Sequence, residues 1–275
     1  MINVLITGSS GYIGSATIDY LNDSEFNVFK IDIDDDFNLL NFDRLRSFIY
    51  ENKIEIVLHL AAFKSITESK NNPVKYLHNN VSSSLNLISI CEEFNIPFVN
   101  ASSAAVYNNT NPYSNSKILV ENFLDYSKLK YINLRYFNIG GLIQAPGASQ
   151  TANLFDIIRN KYLNNETLTI NVNDSTRNYT HIKDIAKFNV KCLRDLIKND
   201  YRKTLDVYTR NTASVEEIVE VYRSKGVNLD CLINHSEAPT QPIIPGGEGL
   251  IVDSLGLDDI IESEIKYGIR LDNRI

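Results

Sequence analysis

The opening stretch MINVLITGSSGYIG constrains the fold more than any other part of the chain. Val4, Leu5 and Ile6 form a short apolar run of the kind a buried parallel strand needs. Gly8, Gly11 and Gly14 follow, and Ile13, Ala16, Tyr20 and Leu21 then recur at helical spacing. A glycine-rich turn therefore joins a strand to a helix. Gly8 permits the tight turn, Gly11 leaves backbone open to a pyrophosphate, and Gly14 lets the helix pack on the strand. The helix N-terminus adds free N–H groups and a positive dipole end for phosphate. Such a turn also occurs in α/β proteins without that ligand, so the rest of the chain has to decide.

Strand and helix patterns alternate after it. Strands are expected at 27–32, 55–60, 97–101 and 131–137, with helices at 42–51, 73–94 and 114–127 between them. This succession predicts an α/β fold, a Rossmann-type doubly wound parallel sheet with helices on both faces. The second strand ends at Asp32, 18 residues past Gly14, where a carboxylate can bind the ribose hydroxyls of a dinucleotide. With Asp34, Asp35 and Asp36 it repels a 2′-phosphate, which favours NAD over NADP. The same four aspartates also read as an acidic loop.

Beyond Gly141 the pattern loosens. A Pro/Gly/Ser loop at 144–150 precedes a helix at 152–163, short strands at 167–170 and 176–180, and a helix at 184–197. A strand at 204–208, a helix at 215–223, a proline-rich loop, a strand at 250–252 and a last helix at 258–267 complete the chain. The expected organisation is an NAD-binding domain at 1–140 and a smaller α/β substrate-binding region at 141–275, from which segments can return to the first sheet.

The net charge of −7 argues against nucleic acid or an anionic membrane as partner. No apolar run reaches the roughly 20 residues of a membrane span, and Met1 leads straight into a strand without a leader pattern. Cys91, Cys192 and Cys231 lie far apart, and with the four histidines they show no metal-ligand spacing. They read as thiols of a reducing compartment, which predicts a cytoplasmic protein.

Chemistry concentrates around Ser103, at the end of the fourth strand, and the stretch Tyr113-Ser-Asn-Ser-Lys117. On a helix Tyr113 and Lys117 share a face, so the ammonium can approach the phenol. A cation there lowers the tyrosine pKa from about 10, and the positive ring of an oxidised nicotinamide lowers it further. The phenolate could then take a proton from a sugar hydroxyl held by Ser103.

These motifs resemble the extended short-chain dehydrogenases/reductases, and within them the UDP-glucose 4-epimerases. TGSSGYIG, HLAAFKSITES at 59–69, SSAAVY at 102–107, PYSNSK at 112–117, LRYFN at 134–138 and RNYTHIKDIA at 177–186 carry the resemblance. It implies inversion at C4 of a nucleotide sugar through a transient 4-keto sugar, with NAD as cofactor and Ser103, Tyr113 and Lys117 as catalytic residues. It assigns the cofactor to Gly8, Gly11, Tyr12, Ile13, Gly14, Asp32, Asn38, Leu39, Leu60, Ala61, Ala62, Lys64, Asn79 and Phe137, besides Tyr113 and Lys117. It assigns the substrate to Asn138, Asn153, Leu154 and Arg177, besides Ser103 and Tyr113, with Arg177 on the diphosphate. It also implies a homodimer through the helices at 74–94 and 114–127.

The chain departs from that pattern in three places. It is short, only five residues separate Tyr107 from Tyr113, and the stretch EAPTQPIIPGGEG has no arginine where the family carries a second diphosphate ligand. A nucleotide-sugar dehydratase would need carboxylates where Ala104 and Ala105 stand. The same motifs would also suit a nucleotide-sugar reductase or a non-catalytic NAD sensor. Asp32 speaks against the reductase, which usually takes NADP, and the retained Tyr113 and Lys117 speak against the sensor.

Overall fold

The computed structural model describes residues 1–21, 25–33, 36–143, 153–172, 176–235, 251 and 254–269, with backbone alone at 171–172 and 233–235. Asp34, Asp35, the loop at 144–150, the helix start at Ala152, the proline-rich loop with the EAPTQPIIPGGEG stretch, and both ends of the 250–252 strand lie outside the described residues.

In chain order the elements begin with β1 (Ile2–Thr7), α1 (Tyr12–Leu21), β2 (Phe26–Ile31), α2 (Phe42–Glu51) and β3 (Ile56–His59). Next come α3 (Ile66–Asn71), α4 (Pro73–Leu77), α5 (Ser83–Phe94), β4 (Phe98–Ser103), α6 (Pro112–Tyr126) and β5 (Tyr131–Tyr136). They continue with β6 (Asn138–Gly140), α7 (Leu154–Leu163), β7 (Leu168–Val172), β8 (Arg177–His181), α8 (Ile182–Lys198) and β9 (Arg202–Val207). The last are β10 (Thr212–Ala213), α9 (Val215–Ser224), β11 (Cys231–His235) and α10 (Leu257–Glu264). No described helix is long and apolar enough to cross a membrane.

Met1–Tyr136 and Ala186–Asp206 form one compact unit. Its six-stranded sheet has the order β2-β1-β3-β4-β5-β9, and β1 to β5 pair in parallel. Val4, Leu5 and Ile6 are fully buried, as a strand covered on both faces requires. The chain leaves β1 for β2 on one side and returns to β3 on the other. That reversal opens a crevice at the carboxyl ends of β1 and β3, the usual ligand position in open α/β sheets. Residues 186–198 of α8 cover part of this unit. Asn189 donates to Thr17 Oγ1 at 3.0 Å and accepts from the Tyr136 hydroxyl at 2.7 Å, with both Asn189 and Thr17 buried.

The single helix expected over 73–94 is interrupted by a π turn at His78–Ser82. The buried Asn80 amide grips both backbone groups of Phe63, accepting from its N–H at 2.9 Å and donating to its carbonyl at 2.9 Å. The Ser83 and Ser84 hydroxyls donate to the carbonyls of Asn79 and Asn80 at 2.6 and 2.7 Å. Such competition for helix carbonyls loosens the regular ladder.

Phe137–Ile185 and Val207–Ile275 form the second unit. It holds a three-stranded sheet, β10-β8-β6, and a parallel pair, β11-β7. Phe155, Ile158, Ile218, Val219 and Tyr222 lie at the centre of its core. The expected boundary at 140/141 thus falls a little past Tyr136, and 186–206 belongs with the first unit.

Candidate active site

The glycine turn has the geometry its sequence demands. Gly8 sits at φ +71°, and a Cβ there would lie 2.7 Å from the Ala61 nitrogen. A Cβ on Gly14 would lie 2.2 Å from the Gly8 carbonyl oxygen, so α1 packs directly on the turn. A Cβ on Gly11 would meet only the Gly8 oxygen, at 3.2 Å, which leaves the rest of that approach open. Asp32, just past β2, accepts from the Ser10 N–H at 2.9 Å and the Ile33 N–H at 2.7 Å. A carboxylate is thereby fixed beside the glycine turn. Open backbone at Gly11 next to a fixed carboxylate suits a dinucleotide with free ribose hydroxyls, and these residues fit NAD.

The other expected cofactor residues of this unit surround the same strand ends. Tyr12 and Ile13 open α1 and are half-buried. Leu60, Ala61 and Ala62 follow β3 half-buried, and the Ala61 N–H donates to Thr7 Oγ1 at 3.4 Å. Lys64 is exposed, and Asn79 is half-buried on the π turn. Asn38 accepts from the Leu40 N–H at 2.9 Å. The Leu39 side chain belongs to the core, which leaves its backbone as the part that can face a ligand.

The catalytic candidates lie on the same carboxyl edge. Ser103 ends β4, and its hydroxyl accepts from the Ala105 N–H at 3.2 Å. α6 starts where its sequence says it should: Asn111 caps it by accepting from the Ser114 N–H at 2.9 Å, and Pro112 takes the first turn. Tyr113 and Lys117 occupy successive turns. Burial raises the Tyr113 phenol above its ordinary value, and the neighbouring Ser103 hydroxyl only partly offsets this. The expected depression by Lys117 is not found. The Lys117 ammonium donates instead to the Ala101 carbonyl at 2.7 Å. Burial pulls its pKa down to about 8, against the attraction of Glu121.

The remaining expected residues belong to the second unit. Phe137 packs its ring on Tyr208, and Asn138 donates to the Asn178 carbonyl at 3.1 Å. Arg177, half-buried, begins β8 beside Asn178. Asn153 caps α7 in a reciprocal box with Asp156, and Leu154 is half-buried at its first turn.

Sequence reasoning missed a second set around Glu121, Arg135, Tyr107 and Asp206. The only signal was Glu121's place one turn past Lys117. It also missed His59, whose ring bridges Thr7 Oγ1 at 2.7 Å and Ser84 Oγ at 2.8 Å. Ser84 spends its own proton on the Asn80 carbonyl, so Nε2 carries the ring proton and Nδ1 accepts from Thr7.

Residues 4–207 match the NAD dependent epimerase/dehydratase family. UDP-glucose 4-epimerase of Caenorhabditis elegans is 30% identical over 81% of this chain and 82% of its own length. The Lactobacillus helveticus enzyme of that name is 25% identical over 80% of each. The fold is similar to the Stenotrophomonas maltophila UDP-glucose-4-epimerase structure with bound NAD and formylated UDP-arabinopyranose. That likeness has a TM-score of 0.84 at 23% identity and covers 98% of both chains. The Campylobacter jejuni UDP-Glc/GlcNAc 4-epimerase matches with a TM-score of 0.77 at 23% identity, over 97% of this chain and 98% of its own. A glycine turn paired with a fixed carboxylate, a Ser-Tyr-Lys set on the same sheet edge, and a family match across most of the chain agree: the protein belongs to the NAD dependent epimerase/dehydratase family.

Proposed function

We propose that this protein is an NAD-dependent isomerase that inverts C4 of a nucleotide-diphosphate sugar, with UDP-glucose and UDP-galactose as the pair. One observation carries the reading. Ser103 at the end of β4, close enough to act on the Tyr113 phenol, stands with Tyr113 and Lys117 on successive turns of α6, at the sheet edge that also bears the glycine turn. The curated relatives named UDP-glucose 4-epimerase support the same substrate class.

Gly8, Gly11 and Gly14 with Asp32 would hold the dinucleotide, and Leu60 to Ala62, Lys64 and Asn79 would line it. When bound, NAD supplies the acceptor and donor of the hydride at C4. Tyr113 takes the proton from the 4-hydroxyl and later returns it, while Ser103 holds the same oxygen. Lys117 keeps a positive charge near the phenol's end of the helix. Asn138, Asn153 and Leu154 would contact the nucleotide sugar, and Arg177 would pair its planar fork with the diphosphate.

The test is proton NMR of UDP-galactose mixed with the purified protein, without added reductant. Conversion to UDP-glucose at a catalytic ratio is expected. No conversion, with NAD still bound, overturns this substrate pair and turns the assignment to another nucleotide sugar.

A second copy of the chain is the proposed partner. α6 leaves Leu119, Phe123 and Tyr126 exposed along one side, the last at 86%. Helical spacing of four and three makes this a continuous apolar stripe. Light scattering at micromolar concentration is expected to give the mass of two chains, and a monomer overturns the claim. Cys91 and Cys192 are free and buried, which suits a reducing compartment, and the cytoplasm is the proposed location.

A further inference from the structure

Three consecutive residues of β4 each reach one turn of α6. Ser103 acts on the Tyr113 phenol, the Ala101 carbonyl accepts from Lys117, and the Ser102 hydroxyl donates to Glu121. Only the first two contacts belong to the expected catalytic set. The third ends in a buried carboxylate. Glu121 is 8% exposed and Ser102 is 4% exposed. Arg135 on β5 covers both oxygens of that carboxylate, with Nε donating to Oε1 at 3.0 Å and Nη2 to Oε2 at 2.6 Å.

The contacts run on into the turn after Ser103. Arg135 Nη1 donates to the Tyr107 hydroxyl at 2.9 Å, and that hydroxyl donates to the buried Asp206 carboxylate at 2.8 Å. Tyr107 closes the short turn, Ala104–Tyr107, that Ser103 starts. The far end of this turn, the strand residue before Ser103 and the middle of α6 are thus tied to one charge cluster.

We propose that Glu121 is a positioning residue: its buried carboxylate clamps the helix carrying Tyr113 and Lys117 against the strand end carrying Ser103, and is the counter-charge of the Lys117 ammonium. A buried carboxylate is costly unless it is fully paired, so a solvated residue would be the cheaper choice if α6 needed only packing. The groups facing Lys117 are few. Among the described residues they are Glu121 on its own helix, the Ala101 carbonyl on β4, and His59 on β3. Burial lowers His59 to a pKa of about 3, so it is neutral and gives no counter-charge. Glu121 in turn faces Ser102, Arg135, Asp206 and Tyr131, and its charge raises Lys117 against burial.

Lys117 has a folded pKa pulled down to about 8, so its charge is present below that pH and lost above it. Removing the Glu121 charge moves the loss to lower pH. The kinetic arm rests on the epimerase reading, so a second arm does not use activity. Holoenzyme and Glu121→Gln are compared for kcat and KM with UDP-galactose from pH 6 to 10. In parallel, pH-dependent acetylation of Lys117 by acetic anhydride is followed by mass spectrometry.

Glu121→Gln is expected to lower kcat about tenfold or more with KM within about threefold, and to shift the alkaline limb and the acetylation midpoint down together, each pH unit being about tenfold in the proton equilibrium. Ser102→Ala, which keeps the charge, is expected to lower kcat severalfold with the limb unmoved, and it serves if Glu121→Gln does not fold. Equal loss of activity at every pH with an unmoved acetylation midpoint overturns the proposal, as does Ser102→Ala with unchanged kcat. Wild-type protein that leaves UDP-galactose untouched fails the substrate reading alone, because the acetylation arm still decides the role of Glu121.

Discussion

Replacing Tyr113 with phenylalanine is expected to lower kcat by about 10²–10⁴-fold, the contribution of a positioned acid–base group, while NAD stays bound. The ring fills the same space and only the hydroxyl is lost, so α6 keeps its cap at Asn111 and its ties to β4. In the cofactor-free chain burial holds the phenol above its ordinary value and Ser103 pulls the other way. The proton can therefore leave at neutral pH only if further positive charge arrives. The wild-type phenol is expected to titrate above about 10 without cofactor and to fall on loading with oxidised NAD, read by ultraviolet difference absorbance against Tyr113→Phe. Retained turnover in the variant would remove Tyr113 from the chemistry.

Arg159→Ala is expected to destabilise the second unit by about 3–5 kcal/mol, the usual cost of breaking a buried ion pair from one side. Arg159 lies between Asp156 and Glu264, and all three side chains are at most 5% exposed. Its Nη1 donates to Glu264 Oε2 at 2.7 Å, and its other arm pairs with Asp156. Without the guanidinium two carboxylates stay buried without a counter-ion. Burial already pushes Glu264 from its ordinary 4.5 to about 7, while Arg159 and the Gly141 N–H oppose the rise. A carboxyl raised on folding stabilises most below its unfolded pKa and loses that contribution as pH climbs through the folded one. Stability of the wild type therefore carries a falling term between about pH 4.5 and 7. Arg159→Ala should steepen it, and adding Glu264→Gln should recover part of the loss. Urea melts at pH 5 and 8 measure both; equal stability of wild type and Arg159→Ala at pH 8 would sink the account.

The parallel sheet was legible because its strands are apolar runs ended by glycine or small residues. The expected strands at 27–32 and 131–137 appear at Phe26–Ile31 and Tyr131–Tyr136, and the helix at 42–51 is found at Phe42–Glu51. Short elements were not legible. β6 and β10 have too few residues to show a period, and β6 and β11 form because distant partners such as Tyr179 and Leu168 lie alongside them. The π turn at 78–82 escaped because serines that bond back to helix carbonyls, as Ser83 and Ser84 do, also occur in regular helices, while the grip of Asn80 on Phe63 joins residues 17 apart. At the site, spacing placed Tyr113 and Lys117 on one helix face but could not say where the ammonium points. Ala101 is the answer, and only the strand packed beside α6 supplies it.

The return of residues 186–206 to the first sheet sets the order in which this protein can mature on the ribosome. β9 is the outer neighbour of β5, and Asn189 closes hydrogen bonds with Tyr136 and Thr17. Until that late segment emerges, the nascent sheet ends in β5, an unpaired and apolar edge that invites association with other chains. A gene fragment cut near codon 140 would freeze the protein in that state. A fusion that splices 186–206 back onto 1–136 through a short flexible link is the smallest piece with reason to stay in solution.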